Sequence, residues 1–328
     1  MHTVYAGRGS RVIPTGSAEM KIAIIEDSGC ISPEYYWSKT WKELCVKNNF
    51  ESRLFNSLEV NFISQVIAYN PDFVMWRSGQ HYPEIFRKDG WQRYVLEKEA
   101  ELKMIPDWNM HYLYDHKVMQ TYLFGIKGFP HPKTLIFHDY KRADRFLESA
   151  IYPLVIKADA GAGSRSTRFC NNYNEARKQL DENFGDGLLY SLIGAKEKNL
   201  FYAQEYVPAP GIWRIVMIGD DIGYSFYQSN KPGTKIASSQ GFDSYPPTPV
   251  ELLDLSAKIN REMGWQYMMY DYIWKEATKE WLILETTDTC GPGHSAKRKI
   301  THYYTGDKWE DREDNTSPQE LIFRKYIL

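Results

Sequence analysis

Asp271 stands inside the apolar run "WQYMMYDYIW" and Glu285 inside "EWLILETT". Read as two strands of a hairpin closing over a three-residue loop at 277–279, these runs place the two carboxylates directly opposite each other. Like charges in that position repel, unless a cation lies between them. Magnesium is typically held by one or two carboxylates together with substrate phosphates. Thr287, two residues beyond Glu285, points to the same face and adds an oxygen. The plainer arrangement is a pair of carboxylates that each meet a separate partner.

A second constellation lies upstream, in "YPLVIKADAGAGSRSTRF". Leu154, Val155 and Ile156 form a short apolar run suited to a buried sheet, and Lys157 follows directly. An ammonium is expensive to bury without a negative partner. The loop after it is not a Walker A loop, which needs Gly-Lys-Ser/Thr opening a helix. It matches GxGxxG through Gly161 and Gly163, but Ser166 replaces the third glycine and the loop runs into another strand, "TRFC", rather than a helix. A glycine loop joining two antiparallel strands is a flap. Its backbone N–H groups, with Ser164 and Ser166, are suited to closing over phosphates; a plain Gly-rich hairpin turn is the alternative.

The elements that must position these residues follow from the pattern. From Met20 strand and helix alternate: "KIAIIED", a helix over 33–49, "FESRLF", a helix over 58–70, "PDFVMWR", a long helix bent near Gly90, and "MIPDW". This predicts βαβ units and a parallel sheet, with ligands gathering at the carboxyl ends of the strands, where Asp27, Ser28, Arg77 and Ser78 lie. After about residue 110 the texture changes. A helix capped by Asp115 and ended by Gly125 or Gly128 precedes the glycine loop, and a helix opened by Asn172 and Glu175 follows it. Beyond come the strand "FYAQEYV", a hairpin about the turn "DD", and a helix with Thr248 at its cap and Gly264 at its end. The fold class is α/β, with an α+β character in the C-terminal part.

Composition excludes several classes. The 328 residues carry a net charge of -2, from 40 basic and 42 acidic side chains, so no overall field argues for nucleic acid or an anionic membrane. No run reaches the roughly 18 apolar residues of a membrane span. Cys30, Cys45, Cys170 and Cys290 form no CxxC pair, which fits a reduced cytoplasmic protein. Cys290 in "DTCGPG" reads as a packing or loop cysteine, and the basic run in "SAKRKI" as a solvated face. Residues 1–19 read as a flexible leader, with Met20 as the natural start.

Lys117 after "YD", "VIKADAGAGS", "AQEYV", Arg214 in "GIWRIVMIG", Asp271 in "MYDYIW" and Glu285 in "LILETT" occur in the order and spacing of the ATP-grasp family. The resemblance covers roughly residues 110–292. The chain looks like the stand-alone carboxylate–amine ligases, similar to glutathione synthetase and the glutamate ligases that tail a ribosomal protein. Predicted enzymes of surface-polysaccharide decoration look like members of the same broad group. The resemblance implies a Rossmann-like preceding domain over 20–110, a small subdomain with the glycine flap over 111–195, and a core subdomain with adenine hinge and metal site over 196–328. It implies ATP and Mg²⁺ as cofactors. Lys117 and Lys157 would contact ATP phosphates beneath the 160–166 flap, with Gly161, Gly163 and Ser164 in it. Gln204 to Val207 would form the hinge pairing with adenine, Glu205 lying near its amino group; Arg214 would face the transferred phosphoryl group. Asp271 and Glu285 would hold Mg²⁺, with Thr287 where the family has asparagine. "PAPGIW" has no acid where many members bind the ribose hydroxyls.

The expected activity joins a small-molecule carboxylate to an amine, the classes in view being amino acid, peptide or sugar acid, without a nucleophilic side chain. A homodimer is compatible with it. A small-molecule kinase on the same fold and a nucleotide-binding module without turnover are the alternatives.

Overall fold

The computed structural model describes residues 20–26, 37–77, 83–161, 164–191, 194–235, 242–288 and 297–328. The leader 1–19, Asp27, Ser28 and Ser78 of the expected strand edge, Gly163, Cys30 and Cys290 lie outside them.

The first unit contains β1 (Lys21–Ile25), α1 (Trp37–Lys47), β2 (Glu51–Phe55), α2 (Phe62–Tyr69), β3 (Phe73–Met75), α3 (Pro83–Tyr94) and β4 (Met104–Ile105). Its strands pair in parallel in the order β2-β1-β3-β4. β1 reads "KIAII" and buries its last four residues, as a central strand covered on both faces requires. The long helix passes Gly90 unbroken; its irregularity is a π-helical turn at Val95–Glu99.

The second unit begins with α4 (Trp108–His111) and α5 (Lys117–Lys127), the latter ending at Gly128 in the left-handed region. There follow β5 (Thr134–Phe137), α6 (Tyr140–Leu147), β6 (Leu154–Lys157), β7 (Arg168–Cys170), α7 (Tyr173–Phe184), β8 (Leu188–Leu189), β9 (Lys196–Glu197) and β10 (Phe201–Glu205). The antiparallel sheet has the order β5-β10-β6-β7, and β8 and β9 make a separate short hairpin. Asn172 caps α7 as expected, its Oδ1 accepting from Glu175 N at 3.0 Å while Glu175 accepts from Asn171 N at 2.8 Å. The expected boundary at 195/196 falls inside the β8–β9 hairpin. The second sheet also takes β10, so the chain crosses to the core after Glu205.

The core unit is built from β11 (Gly211–Ile218), β12 (Ile222–Ser229), β13 (Phe242–Ser244), α8 (Val250–Met263), β14 (Tyr267–Lys275), β15 (Glu280–Thr287), β16 (Ile300–Tyr304), β17 (Trp309–Glu313) and α9 (Pro318–Tyr326). Its sheet runs β15-β14-β11-β12-β16-β17, with β13 on β12. α8 starts after Pro249 without a side-chain cap, because the Thr248 hydroxyl is taken by His302 Nε2 at 2.7 Å and Ser225 Oγ at 2.6 Å.

One hydrophobic core joins the first sheet to the third: Ile24, Trp37 and Trp41 pack in the same cluster as Ile215, Leu253 and Tyr267. Each fully buried large apolar side chain there stabilises by about 1.5–3 kcal/mol relative to exposure. The β5-β10-β6-β7 sheet has its own core around Ile156, Leu180 and Phe201. Phe124 and Phe129 of the second unit join the first of these cores, and polar contacts around the candidate site, such as Lys275 to Glu205 and Gln120 to Thr286, add further ties.

Candidate active site

The core sheet sets out a row of side chains across four strands. Glu285 pairs with Asp271, Asp271 with Arg214, and Arg214 with Phe226. Directly paired residues share a face, so the four stand side by side. The expected opposition of Asp271 and Glu285 holds, but the route differs. The hairpin closes over four residues, 276–279, from Lys275 to Glu280, and a β-bulge between Asp271 and Tyr272 restores the register, with Leu284 the extra residue. Thr287 lies across from Met269, on the same face as Glu285.

The carboxylates meet separate cations. Arg214 Nη2 donates to Asp271 Oδ2 at 2.9 Å, and Lys117 Nζ lies 3.2 Å from Glu285 Oε1. Burial pushes the Asp271 carboxyl up to about 6, against the pull of Arg214. Asp271 Oδ1 and Arg214 Nε are buried with no hydrogen-bond partner among the described residues. A buried acceptor without a donor is destabilising by about 1–3 kcal/mol, and beside Glu285 this oxygen suits a hard divalent cation. Asp271, Glu285 and Thr287 therefore fit a magnesium site of oxygen donors. Among the described residues no cluster of three or more His, Cys, Asp or Glu side chains is suited to a metal.

α5 brings Lys117 to this row. Gln120, two per cent exposed, donates to Thr286 O at 2.8 Å and accepts from Thr286 N at 3.0 Å, stitching the helix to β15. Thr121 Oγ1 lies 2.9 Å from Tyr202 Oη and so joins α5 to β10. Lys117 itself is six per cent exposed. Burial opposes its charge, but Glu285 and Asp115 outweigh burial and hold its pKa above the ordinary lysine value. The expected cap is displaced: Asp115 does not cap α5, and Asp159, from beyond β6, accepts from Val118 N at 2.7 Å instead.

Lys157, at the end of β6, lies opposite Tyr202 and donates to Gln204 Oε1 at 2.8 Å. No carboxylate among the described residues approaches it within 4 Å. Burial pushes its pKa down to about 8, with Glu285 opposing and Lys117 adding to the depression. Gln204 is fixed by donating to Thr134 Oγ1 at 3.0 Å, so its oxygen faces Lys157. A small recess between α5, β10 and β15 is lined by Lys117, Thr121, Tyr202, Gln204, Ile283 and Leu284.

The hinge residues follow. Both Glu205 carboxylate oxygens accept from Lys275 Nζ at 2.8 Å, and one also accepts from Lys133 N at 2.9 Å. The side chain straps the crossing between sheets instead of lying open to a ligand. Val207 is buried in a small apolar cluster with Ile212, Ile273 and Leu282. Lys235, from the core, sits 4.6 Å from the Tyr206 ring and 5.6 Å from that of Phe169.

The glycine loop is rooted more firmly than its composition implies. Gly161 has φ +116°, and a Cβ there would come within 2.8 Å of Tyr190 O. Ser164 has φ +58° and its carbonyl accepts from Thr167 N at 3.2 Å; Ser166 is two per cent exposed. Sequence reading missed Asp159 and Glu197 and took Asp115 only for a helix cap; all three bond to the loop's root or to α5. It also missed Asp288, buried just beyond β15 with His111 Nδ1 at 3.6 Å. Of the expected edge residues, Arg77 is buried over the Trp37 ring at 5.8 Å.

No protein-family model matches the sequence. Among solved structures the chain is similar to the biotin carboxylase domain of 2-oxoglutarate carboxylase from Hydrogenobacter thermophilus, in complex with MgADP, at a TM-score of 0.60 and 16% identity. That likeness covers 84% of this chain and 65% of that one, so the chain spans less than two thirds of that relative. It is similar to D-alanine–D-alanine ligase from Bacillus anthracis complexed with ATP, at a TM-score of 0.58 and 13% identity over 83% of this chain and 87% of that one. A RimK domain ATP-grasp protein from Sphaerobacter thermophilus matches at a TM-score of 0.57 and 12% identity, over 81% and 90%. With three sheets in this order and the charged row on the third, the chain has the ATP-grasp fold.

Proposed function

We propose that this protein is an ATP-dependent carboxylate–amine ligase, forming an amide or peptide bond through an acyl-phosphate and releasing ADP and phosphate. The observation that carries the reading is the meeting of Glu285, Asp271 and Arg214 on one sheet face with Lys117 and Lys157 from the other side. Two structures of similar fold, a D-alanine–D-alanine ligase with ATP and a biotin carboxylase domain with MgADP, support it. Residues 20–110 serve as the preceding domain, 111–205 as the flap subdomain and 206–328 as the core.

In this reading the substrate carboxylate attacks the γ-phosphoryl group and ADP leaves. The amine nitrogen then attacks the acyl carbon, and phosphate leaves. Asp271, Glu285 and Thr287 would hold Mg²⁺, which when bound supplies charge neutralisation at the phosphates. Lys117 and Lys157 would hold the β- and γ-phosphate charge, with Gly161 and Ser164 in the flap above them, while Gly163 lies outside the described residues. The buried Arg214 Nε, without a partner among the described residues, would be the donor to an anionic oxygen of the transferred group. The hinge offers its backbone from Gln204 to Val207 to adenine, while the Glu205 side chain holds the hinge through Lys275. Positioning and electrostatics suffice for both steps.

The test is a screen of acids and amines for ADP release, with mass detection of the product. The ligase reading expects ADP and phosphate only when acid and amine are both present. A phosphorylated product without free phosphate would replace it with a kinase. Tight ATP binding without turnover would replace it with a nucleotide-binding module. One observation favours that module: Asp271 and Glu285 are each already neutralised by a basic side chain.

A further inference from the structure

We infer that Asp115 and Glu197 are positioning residues for the glycine loop: two carboxylates that pin its root and thereby set nucleotide affinity. The inference rests on the nucleotide-binding reading above for its consequence, but not for its geometry.

The root is held from two sides. Asp115 Oδ1 accepts from Gly161 N at 2.8 Å. From β9, both Glu197 oxygens accept from Asp159 N, at 2.9 and 3.2 Å. Lys117 Nζ donates to Gly161 O at 3.0 Å and lies 3.6 Å from Asp115, so cation and carboxylate brace the same residue. Lys117 N donates to Asp159 O at 3.2 Å, and the Asp159 side chain returns to Val118 N. The loop's first turn is thus sandwiched between the start of α5 and the β8–β9 hairpin. Two of its N–H groups are committed to anchoring by charged acceptors, the strong class of hydrogen bond. Neither anchor lies in the charged row of the core sheet.

Asp115 can reach Gly161 because its own backbone is in the left-handed region, at φ +54°, turning it out of the helix start. Glu197 faces Asp159 across the loop and Lys117 from α5, with His116 and Asp115 on the same turn. Burial, with Asp159 adding, pushes the Glu197 carboxyl up to about 7, against the pull of its bond from Asp159 N and of Lys117. As pH falls through that value the carboxyl gains a proton and the bond from Asp159 N loses its charged acceptor, so the root is expected to loosen.

The experiment uses the full chain, with ADP and Mg²⁺ as probe and calorimetry as readout between pH 6 and 8.5. Amide exchange of the peptide carrying Ala158–Gly161 is measured on the nucleotide-free protein. Glu197→Gln and Asp115→Asn keep shape and remove charge, and thermal melting verifies that each is folded. Each is expected to weaken ADP binding about tenfold at pH 8 and to speed exchange at the root. Glu197→Gln alone also flattens the loss of affinity between pH 8 and 6, measured against the unaltered protein so that titration of ADP itself cancels. Unchanged affinity and pH profile in folded Glu197→Gln would overturn the inference. If the unaltered protein binds no ADP, the ligase reading fails, while exchange at the root still decides whether the carboxylates anchor it. Should one variant not fold, the other and the pH profile of the unaltered protein carry the test.

Discussion

Lys117 and Glu285 form an ion pair at 3.2 Å that ties the root of the glycine loop to the core sheet. The same ammonium donates to Gly161 O, and the same carboxylate stands opposite Asp271. One cation therefore touches both halves of the site. In the proposed ligase, a divalent cation held by Asp271 and Glu285 would compete with Lys117 for Glu285 and leave the ammonium to a phosphate.

The pair should be measurable in the protein without ligand. Lys117 is almost wholly buried, whereas Glu285 is about a third exposed, so solvent screening lowers its worth below that of a fully buried pair. In a double-mutant cycle of Lys117→Met and Glu285→Gln, urea unfolding should give a coupling of about 1 kcal/mol or more. Strict additivity would mean that Asp115 alone sustains the Lys117 charge.

Lys157 gives a second expectation, with a sign. Its pKa in the free protein is lowered to about 8 by burial, below the ordinary lysine value. Phosphate beside it favours the charged form and raises that pKa again. At pH 8 nucleotide binding should therefore take up about half a proton, detectable by calorimetry in buffers of different ionisation enthalpy. Affinity should weaken as pH rises above 8. Lys157→Met should abolish both effects and lower affinity while leaving the fold intact; binding as tight as the parent's would remove Lys157 from the phosphate site.

The opposition of Asp271 and Glu285 was legible in the sequence because alternation along a strand fixes which residues share a face, whereas Arg214 came only from the family resemblance and its place beside Asp271 only from the structure. The register was reached by two compensating departures: the loop is one residue longer than expected, and Leu284 bulges out to restore the pairing. Nothing in the composition of "LILE" marks a bulge. Asp115 looked like a helix cap by its place in the chain, but a left-handed backbone turns it to Gly161, and Asp159 caps α5 from 41 residues away. Glu197 stands on a two-residue strand with no periodicity to read. Long-range hydrogen bonds of this kind leave no spacing in the sequence. The missed strand β5 is likewise too short, at four residues after a proline-rich turn, to announce itself.

Asp271 and Glu285 should act as one unit. Each Ala variant is expected to abolish turnover, and the double variant to be hardly worse than either single one, because in the proposed site both would serve the same ion. Thr287→Asn should keep or strengthen the Mg²⁺ dependence, since an amide oxygen is a competent ligand for a hard cation. Initial rates of ADP release against Mg²⁺ concentration give the comparison. Full activity of Glu285→Ala at low Mg²⁺ would remove these carboxylates from the metal site and favour the module without turnover.

Glycine supplies the last expectation, by contrast between two positions. Gly161 has φ +116°, and an added methyl would lie 2.8 Å from the Tyr190 carbonyl oxygen. Gly161→Ala must therefore strain the backbone or push the β8–β9 hairpin away, and with it the Glu197 anchor. A loss of about 1–3 kcal/mol in stability is expected, with weakened nucleotide binding. Gly125 lies inside α5, where an added methyl would meet nothing within 4 Å and φ is not positive. Gly125→Ala should stabilise by about 0.5–1 kcal/mol through helix propensity and leave nucleotide binding unchanged. Urea unfolding of both variants, paired with ADP titrations, separates the two effects. If Gly161→Ala unfolded no earlier than the parent and bound ADP equally well, the clamped root described for the loop would not govern its function.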